Sequence, residues 1–160
     1  MRSIPRFIVV TLTLLGCVGC DQVSKSAARA YLASGVTESF LADSLRLQLV
    51  QNPGSFLSIG ASLPEHLRFM LFTAAVAVLL IGLVCASLFA SRLGPWRIVA
   101  LAFVAGGGIS NLIDRLIYGG RVTDFLNVGI GSLRTGIFNL ADMAILAGAL
   151  LLFLKRGAAP

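Results

Sequence analysis

The sequence predicts an all-α membrane protein with four transmembrane helices, both termini cytoplasmic, and a small cap on the other side of the bilayer. Three observations predict it. Hydrophobic residues make up 57% of the chain and charged residues 12%, giving a mean hydropathy of +0.91, well above that of a water-soluble domain. Apolar runs fall at about 5–20, 67–90, 96–113 and 137–154, each near the roughly 20 residues a helix needs to cross a bilayer. The charges also segregate. With the N-terminus inside, the cytoplasmic segments hold Arg2, Arg6, Arg92, Arg97, Lys155 and Arg156 and no acid, as the positive-inside rule asks. All seven acids (Asp21, Glu38, Asp43, Glu65, Asp114, Asp124 and Asp142) then fall on the outer side or outer half of a helix. They are matched there by Lys25, Arg29, Arg46, Arg68, Arg115, Arg121 and Arg134, so the formal charge of +6 is cytoplasmic. A pI of about 10.1 therefore points to an anionic inner leaflet. No basic and aromatic cluster supports a nucleic-acid partner. The chain makes one integral membrane domain, 1–160, with its cap at about 21–66 and 114–136.

Taken in order, the first apolar run carries two readings. Arg2 and Arg6, an apolar core and Leu14-Leu15-Gly16-Cys17 look like a bacterial lipoprotein signal with its lipid-accepting cysteine, which would make the chain a substrate. A lipoprotein needs no further spans, however, and three follow; the plainer reading is a first transmembrane helix ending in small residues. Cys17 and Cys20 form a C-x-x-C with no second ligand pair, and His66 stands alone, so neither a metal nor a cofactor is expected. Within the cap, Ser44-Leu45-Arg46-Leu47-Gln48-Leu49 alternates with the period of a strand, predicting a small sheet lying on the membrane surface. Asn52-Pro53-Gly54 reads as a turn, and Phe56, Leu57 and Ile59 are placed to dip into the lipid interface. The second span, which has only Arg68 at its outer end, reads as scaffold. Ser91–Pro95 reads as a short cytoplasmic turn, with Trp96 as an interfacial anchor.

The third span ends in the densest polar run, Gly106-Gly107-Gly108-Ile109-Ser110-Asn111-Leu112-Ile113-Asp114-Arg115. Small residues allow close helix approach, and the polar residues beyond them then face a neighbour rather than lipid. Asn111 lies three residues from Asp114 and four from Arg115, on one helical face, with Arg115 the obvious partner for a nearby carboxylate. Val122-Thr123-Asp124-Phe125 follows in a short outer segment, and Phe138-Asn139-Leu140-Ala141-Asp142 opens the fourth span, with Asn139 and Asp142 on one face. Asp21, Asp114, Asp124 and Asp142 all sit on or beside membrane-length apolar stretches, where an ionisable group is costly. A structural polar clasp is one use for them. Two carboxylates brought together at the outer edge of the bilayer also fit aspartyl chemistry, where a shared proton leaves one acid and one base. A third reading is a non-enzymatic four-helix transporter or scaffold with a proton-carrying acid cluster. A relay ordinarily needs ionisable groups in both halves of the membrane, and the inner half here has no acid.

Five segments in order, Asp21-Gln22-Val23-Ser24-Lys25, Asn52-x-Gly54, Gly106 through Asn111 to Asp114-Arg115, Val122–Phe125 and Phe138–Asp142, closely resemble lipoprotein signal peptidase, or signal peptidase II. The resemblance covers nearly the whole chain. It implies four transmembrane helices with a periplasmic β-cradle and a short periplasmic helix, in the bacterial inner membrane with the active site on the periplasmic side. It also implies an aspartyl endopeptidase that cleaves diacylglyceryl-modified prolipoproteins N-terminal to the lipidated cysteine. Asp124, beside the short helix, and Asp142, at the outer end of the fourth helix, match the catalytic pair. Asp21, Lys25, Asn52, Gly54, Gly107, Asn111, Asp114, Arg115, Asn139 and Ala141 match positions that bind substrate or shape the site. The partners implied are prolipoproteins, membrane lipid and globomycin-type cyclic peptides, with the enzyme acting as a monomer. Two departures bear on local packing and substrate preference: Ser110 stands where the family has glycine, and the segment from Asn52 to Phe56 lacks one small residue.

Overall fold

The computed structural model describes residues 5–54, 60 and 62–154. Its elements are α1 (Arg6–Tyr31), β1 (Glu38–Phe40), β2 (Leu45–Asn52), α2 (Glu65–Phe69), α3 (Ala75–Phe89), α4 (Pro95–Ile117), β3 (Val122–Ile130), β4 (Leu133–Arg134) and α5 (Leu140–Leu154). A π-helical turn, Met70–Ala74, joins α2 to α3. Three helical runs, Arg6–Tyr31, Glu65–Phe89 and Pro95–Ile117, are long and apolar enough to cross a membrane; α5, at 15 residues, is apolar but shorter. The charges expected at Arg2, Lys155 and Arg156, and the apolar tip expected at Phe56, Leu57 and Ile59, lie outside the described residues.

Several boundaries differ from those expected of the sequence. α1 does not stop at Cys20 but runs to Tyr31. Hydropathy falls there because Asp21, Lys25 and Arg29 enter, yet their four-residue spacing stacks them on one helical face. Asp21, Lys25 and Ala28 on that face are buried, so packing sustains a helix that composition would end. α4 likewise runs past Ile113 to Ile117, which places Asn111, Asp114 and Arg115 inside the helix. Asp124, read from the sequence as part of a short outer segment, lies in a nine-residue strand.

α4 is the central helix and packs against α1, α3 and α5. The three consecutive glycines allow this because 100° separates each from the next. A Cβ at Gly106 would strike Cys17 of α1, one at Gly107 the backbone carbonyl of Ala141 in α5, and one at Gly108 the side chain of Leu80 in α3. The described core is correspondingly small-residued, with Ala100, Ala102, Ala105 and Ala141 fully buried, while Leu12, Leu15, Leu79, Ile81 and Phe153 point outward. At the end of the bundle remote from the sheet, Arg6 donates to the carbonyls of Ala86 (2.9 Å), Ser87 and Ala90 (2.8 Å), satisfying the free C-terminus of α3.

The sheet is antiparallel in the order β1-β2-β3-β4. Its register holds a bulge: Leu47 pairs with Leu126, but Val50 rather than Leu49 pairs with Asp124. That one extra residue in β2 changes which side chains share a face. Leu45, Leu47, Val50 and Asn52 lie with Val128, Leu126, Asp124 and Val122, while Gln51 faces away with Thr123. Without the bulge Asn52 would be on the wrong side of the sheet from Asp124.

Candidate active site

Asp124 comes from the inner end of β3 and Asp142 from the first turn of α5; both line a cavity of about 350 Å³ between the sheet, the π-helical turn, α4 and α5. Asn52, Asn111 and Arg115 line it with buried polar groups beside the carboxylates, and Phe72, Val76, Ile145 and Leu146 line the rest with apolar ones. Neutral amides hold the two carboxylates. Asn139 donates to Asp124 Oδ1 (2.7 Å) and Asn52 to Oδ2 (2.9 Å). Asn111 donates to Asp142 Oδ1 (3.0 Å), and the Asn139 amide also reaches Asn111 Oδ1 (3.1 Å), so Asn111 and Asn139 bridge the two acids. Asp142 is further fixed by a reciprocal capping box: its N–H donates to Asn139 Oδ1 (3.0 Å) and its Oδ2 accepts from Asn139 N–H (3.2 Å). Burial raises Asp124 to about 6; the Asn52 amide pulls it back, and the charge of Asp142 pushes it further up.

Beneath this pair lies a buried ion triad. Lys25 Nζ is 2.6 Å from Asp21 and 3.2 Å from Asp114, all three side chains fully buried, and it also donates to Asn111 Oδ1 (2.8 Å). The free oxygens of the triad reach the backbone beside each candidate acid. Asp114 Oδ2 accepts from the N–H of Thr123 (2.9 Å), and Asp21 Oδ1 accepts from the N–H of Ala141 (2.9 Å). Thus α1 and α4 together position Asp124 and Asp142 through their preceding residues. Gly54 ties Asn52 to Arg115: its N–H donates to Asn52 Oδ1 (2.9 Å) in an Asx turn, and its carbonyl accepts from Arg115 (3.1 Å).

The twelve positions singled out by sequence therefore meet in one assembly, with Gly107 acting through the close α4–α5 contact at Ala141. The partner of Asp114, which the sequence left open among the outer basic residues, is now fixed. Asp114 pairs with Lys25, not Arg115; adjacent helical residues point 100° apart, and Arg115 turns toward Gly54 and the cavity while its Nε has no partner among the described residues. Sequence reasoning assigned no role in the site to four contributors, though it had marked Ser110 as a departure. Ser110 donates to Asp21 (2.7 Å), and Gln22 donates to both Ser110 Oγ (3.0 Å) and Asp114 (2.9 Å), so the departure from glycine adds a bond to the triad. Thr123 anchors β3, and Phe72 is turned into the cavity by the π-helical turn. Only the position of Gln22 and Thr123 next to Asp21 and Asp124 could have flagged them. No group of three or more His, Cys, Asp or Glu side chains among the described residues is arranged to hold a metal ion.

A family model described as signal peptidase (SPase) II matches residues 13–156. The lipoprotein signal peptidase of Maridesulfovibrio salexigens is 37% identical over 144 residues, covering 88% of this chain and 86% of that protein. The lipoprotein signal peptidase of Hydrogenovibrio crunogenus is 35% identical over 149 residues, covering 93% and 85%. A bacterial membrane enzyme solved by the in meso method at 2.3 Å resolution shares the fold, with a TM-score of 0.78 over 94% of this chain and 93% of that one at 24% identity.

Proposed function

The chain belongs to the signal peptidase II family and is an aspartic-type peptidase that cleaves the signal peptides of prolipoproteins; on that premise we propose that Asp124 and Asp142 are its catalytic pair. The observation that carries this assignment is their pairing state. Among the described residues Asp21, Asp43 and Asp114 are ion-paired, whereas Asp124 and Asp142 share one cavity with no cation in salt-bridge contact. Two carboxylates so placed hold one proton between them.

The chemistry then needs nothing beyond the pair and water. The ionised carboxylate takes a proton from water as the oxygen attacks the scissile carbonyl, and the protonated carboxyl gives its proton to the carbonyl oxygen. Collapse of the tetrahedral diol breaks the C–N bond: one diol hydroxyl returns its proton to the ionised carboxylate as the carbonyl reforms, and the leaving nitrogen takes the proton held by the other, which restores the starting state. Asn111 and Asn139 keep both carboxylates aimed, and Asn52, Gly54 and Arg115 form the wall against which a peptide backbone is held. We further assign the substrate as a diacylglyceryl-modified prolipoprotein, cut just before its lipidated cysteine. Acyl chains kept in the bilayer bring that bond to the membrane interface, which suits a cavity lined on one part by polar groups and on the other by apolar side chains.

The orientation proposed is N-terminus inside, α5 completing a fourth span, and the cavity on the periplasmic side of the inner membrane. Arg6, Arg92 and Arg97 gathered at the end of the bundle opposite the cavity support it. A globomycin-type cyclic peptide would occupy the same cavity in a monomeric enzyme. The test is cleavage of a diacylglyceryl-modified prolipoprotein by purified protein in detergent. Asp124→Asn and Asp142→Asn are each expected to abolish cleavage while unfolding at the wild-type temperature; normal turnover by either would sink the pair.

A further inference from the structure

The outer end of the sheet carries an apolar surface that catalysis does not use. The turn between β1 and β2 and the turn between β3 and β4 lie side by side there, since Phe40 pairs with Leu45, Leu45 with Val128, and the N–H of Gly129 donates to the carbonyl of Ser44 (2.9 Å). Large apolar side chains stand open on both: Leu41 is 75% exposed, Ile130 83% and Leu133 82%, with Phe40 and Val128 nearly half exposed beside them. Five such side chains at one end of a small sheet form a patch that a water-facing surface rarely keeps.

The first turn is also held in a costly shape. Leu41, Ala42 and Asp43 all have positive φ, at 53°, 52° and 66°, in a region that residues with a side chain seldom enter. A polar clasp keeps it there. Asp43 accepts both prongs of Arg46 (2.7 and 2.6 Å) and the hydroxyl of Ser39 (2.7 Å), while its carbonyl accepts from Arg134 (2.6 Å) at the foot of the other turn. Those bonds, that of Arg46 foremost, hold the Asp43 carboxyl well below the usual carboxylate range, so the clasp stays charged.

Apolar and polar groups are sorted across the sheet. Val128, Leu45 and Phe40 lie on the face that carries Asp124, and Ser39, Arg46 and Asn127 lie on the other. We propose that these two turns are a lipid-docking tip, seating Leu41, Ile130 and Leu133 in the outer surface of the same bilayer that the helices cross. Two observations commit the patch to lipid. It continues, on one sheet, the face along which Val50, Leu126 and Leu47 run outward from the membrane-embedded bundle. Two arginines against the single acid of the clasp leave an excess positive charge just behind the apolar tip, where lipid phosphates would lie. Anchored at both ends, β3 would hold Asp124 at a fixed height above the bilayer, where a lipid-anchored substrate presents its bond.

The chain has one tryptophan, Trp96, which makes the test direct. Leu41→Trp and Leu133→Trp, each in a Trp96→Phe background, are reconstituted in phosphatidylethanolamine and phosphatidylglycerol vesicles containing brominated lipid. Docking gives blue-shifted emission quenched most by bromines within about 5–10 Å of the headgroup boundary. Water-like, unquenched emission at both positions overturns the proposal, as does quenching that appears only after prolipoprotein is added, which would make the tip a substrate surface. A second arm rests on the peptidase reading. The Leu41→Asp, Leu133→Asp double variant should lose several-fold in kcat/KM on vesicle-embedded prolipoprotein and none in detergent micelles; an equal loss in both media counts against docking. Wild type that cleaves in neither medium would instead defeat the peptidase reading and leave the fluorescence result standing.

Discussion

Asn52 works against the burial that raises Asp124 to about 6, because its amide bond at 2.9 Å favours the ionised carboxylate. The sign of its removal follows. In Asn52→Ala the proton is held more tightly, so the singly protonated pair persists to higher pH. The alkaline limb of the kcat/KM profile of the free enzyme should move up, with kcat itself reduced because the carboxylate is less well aimed. A limb that stays in place or moves down would remove Asn52 from the pair's electrostatics. At this scale the sequence was legible where function restricts residue type: Asp21, Lys25, Asn111, Asp114, Asp124, Asn139 and Asp142 were all singled out, and all meet. The partners were less legible, because a linear reading leaves the cation for Asp114 open between its neighbour Arg115 and other outer basic residues, whereas three dimensions bring Lys25 from a helix some 90 positions earlier. Ser110 was visible as a departure, but its bond to Asp21 depends on a helix face that only packing defines.

Among the elements, the close approach of α4 to α5 decides where Asp142 sits. A Cβ at Gly107 would meet the backbone carbonyl of Ala141, which cannot rotate away, while a Cβ at Gly108 would meet the outer methyls of Leu80, which can. Gly107→Ala should therefore displace α5, weaken the Ala141 bond to Asp21 and lower both stability and turnover. The expected cost is about 1–3 kcal/mol, in the range of overpacked cores, and Gly108→Ala should cost clearly less. Unfolding midpoints and kcat for the two variants check the order; equal effects would mean the interface yields at the backbone. The same scale shows what hydropathy conceals. The bulge in β2 turns Asn52 onto the face of Asp124, yet strict alternation from Leu45 would have put Gln51 there. No residue in Leu45–Asn52 announces the bulge; it is set by pairing with β3. The end of α1 was hidden for a related reason, since charges that end a hydropathy run continue a helix once a neighbour covers their face.

The molecule as a whole is tied at its two ends by cations of different kinds. Arg6 binds three carbonyls at the end of α3, remote from the cavity, and Lys25 binds two buried carboxylates directly beneath it. Both should stabilise the bundle, but only one reaches the chemistry. Arg6→Ala gives up charge-assisted bonds to a helix terminus and should cost about 1–3 kcal/mol, with turnover close to wild type in the protein that remains folded. Lys25→Met leaves Asp21 and Asp114 buried without their counter-ion, a loss of about 3–5 kcal/mol. It should also slacken the bonds to Thr123 and Ala141 that hold both proposed catalytic acids, so kcat falls well beyond what the folded fraction explains. Unfolding in detergent paired with single-turnover cleavage separates the two effects. If Lys25→Met turned over like wild type once corrected for folding, the triad would be a fastening for the helices alone, and the alignment of Asp124 and Asp142 would have to rest on Asn111 and Asn139.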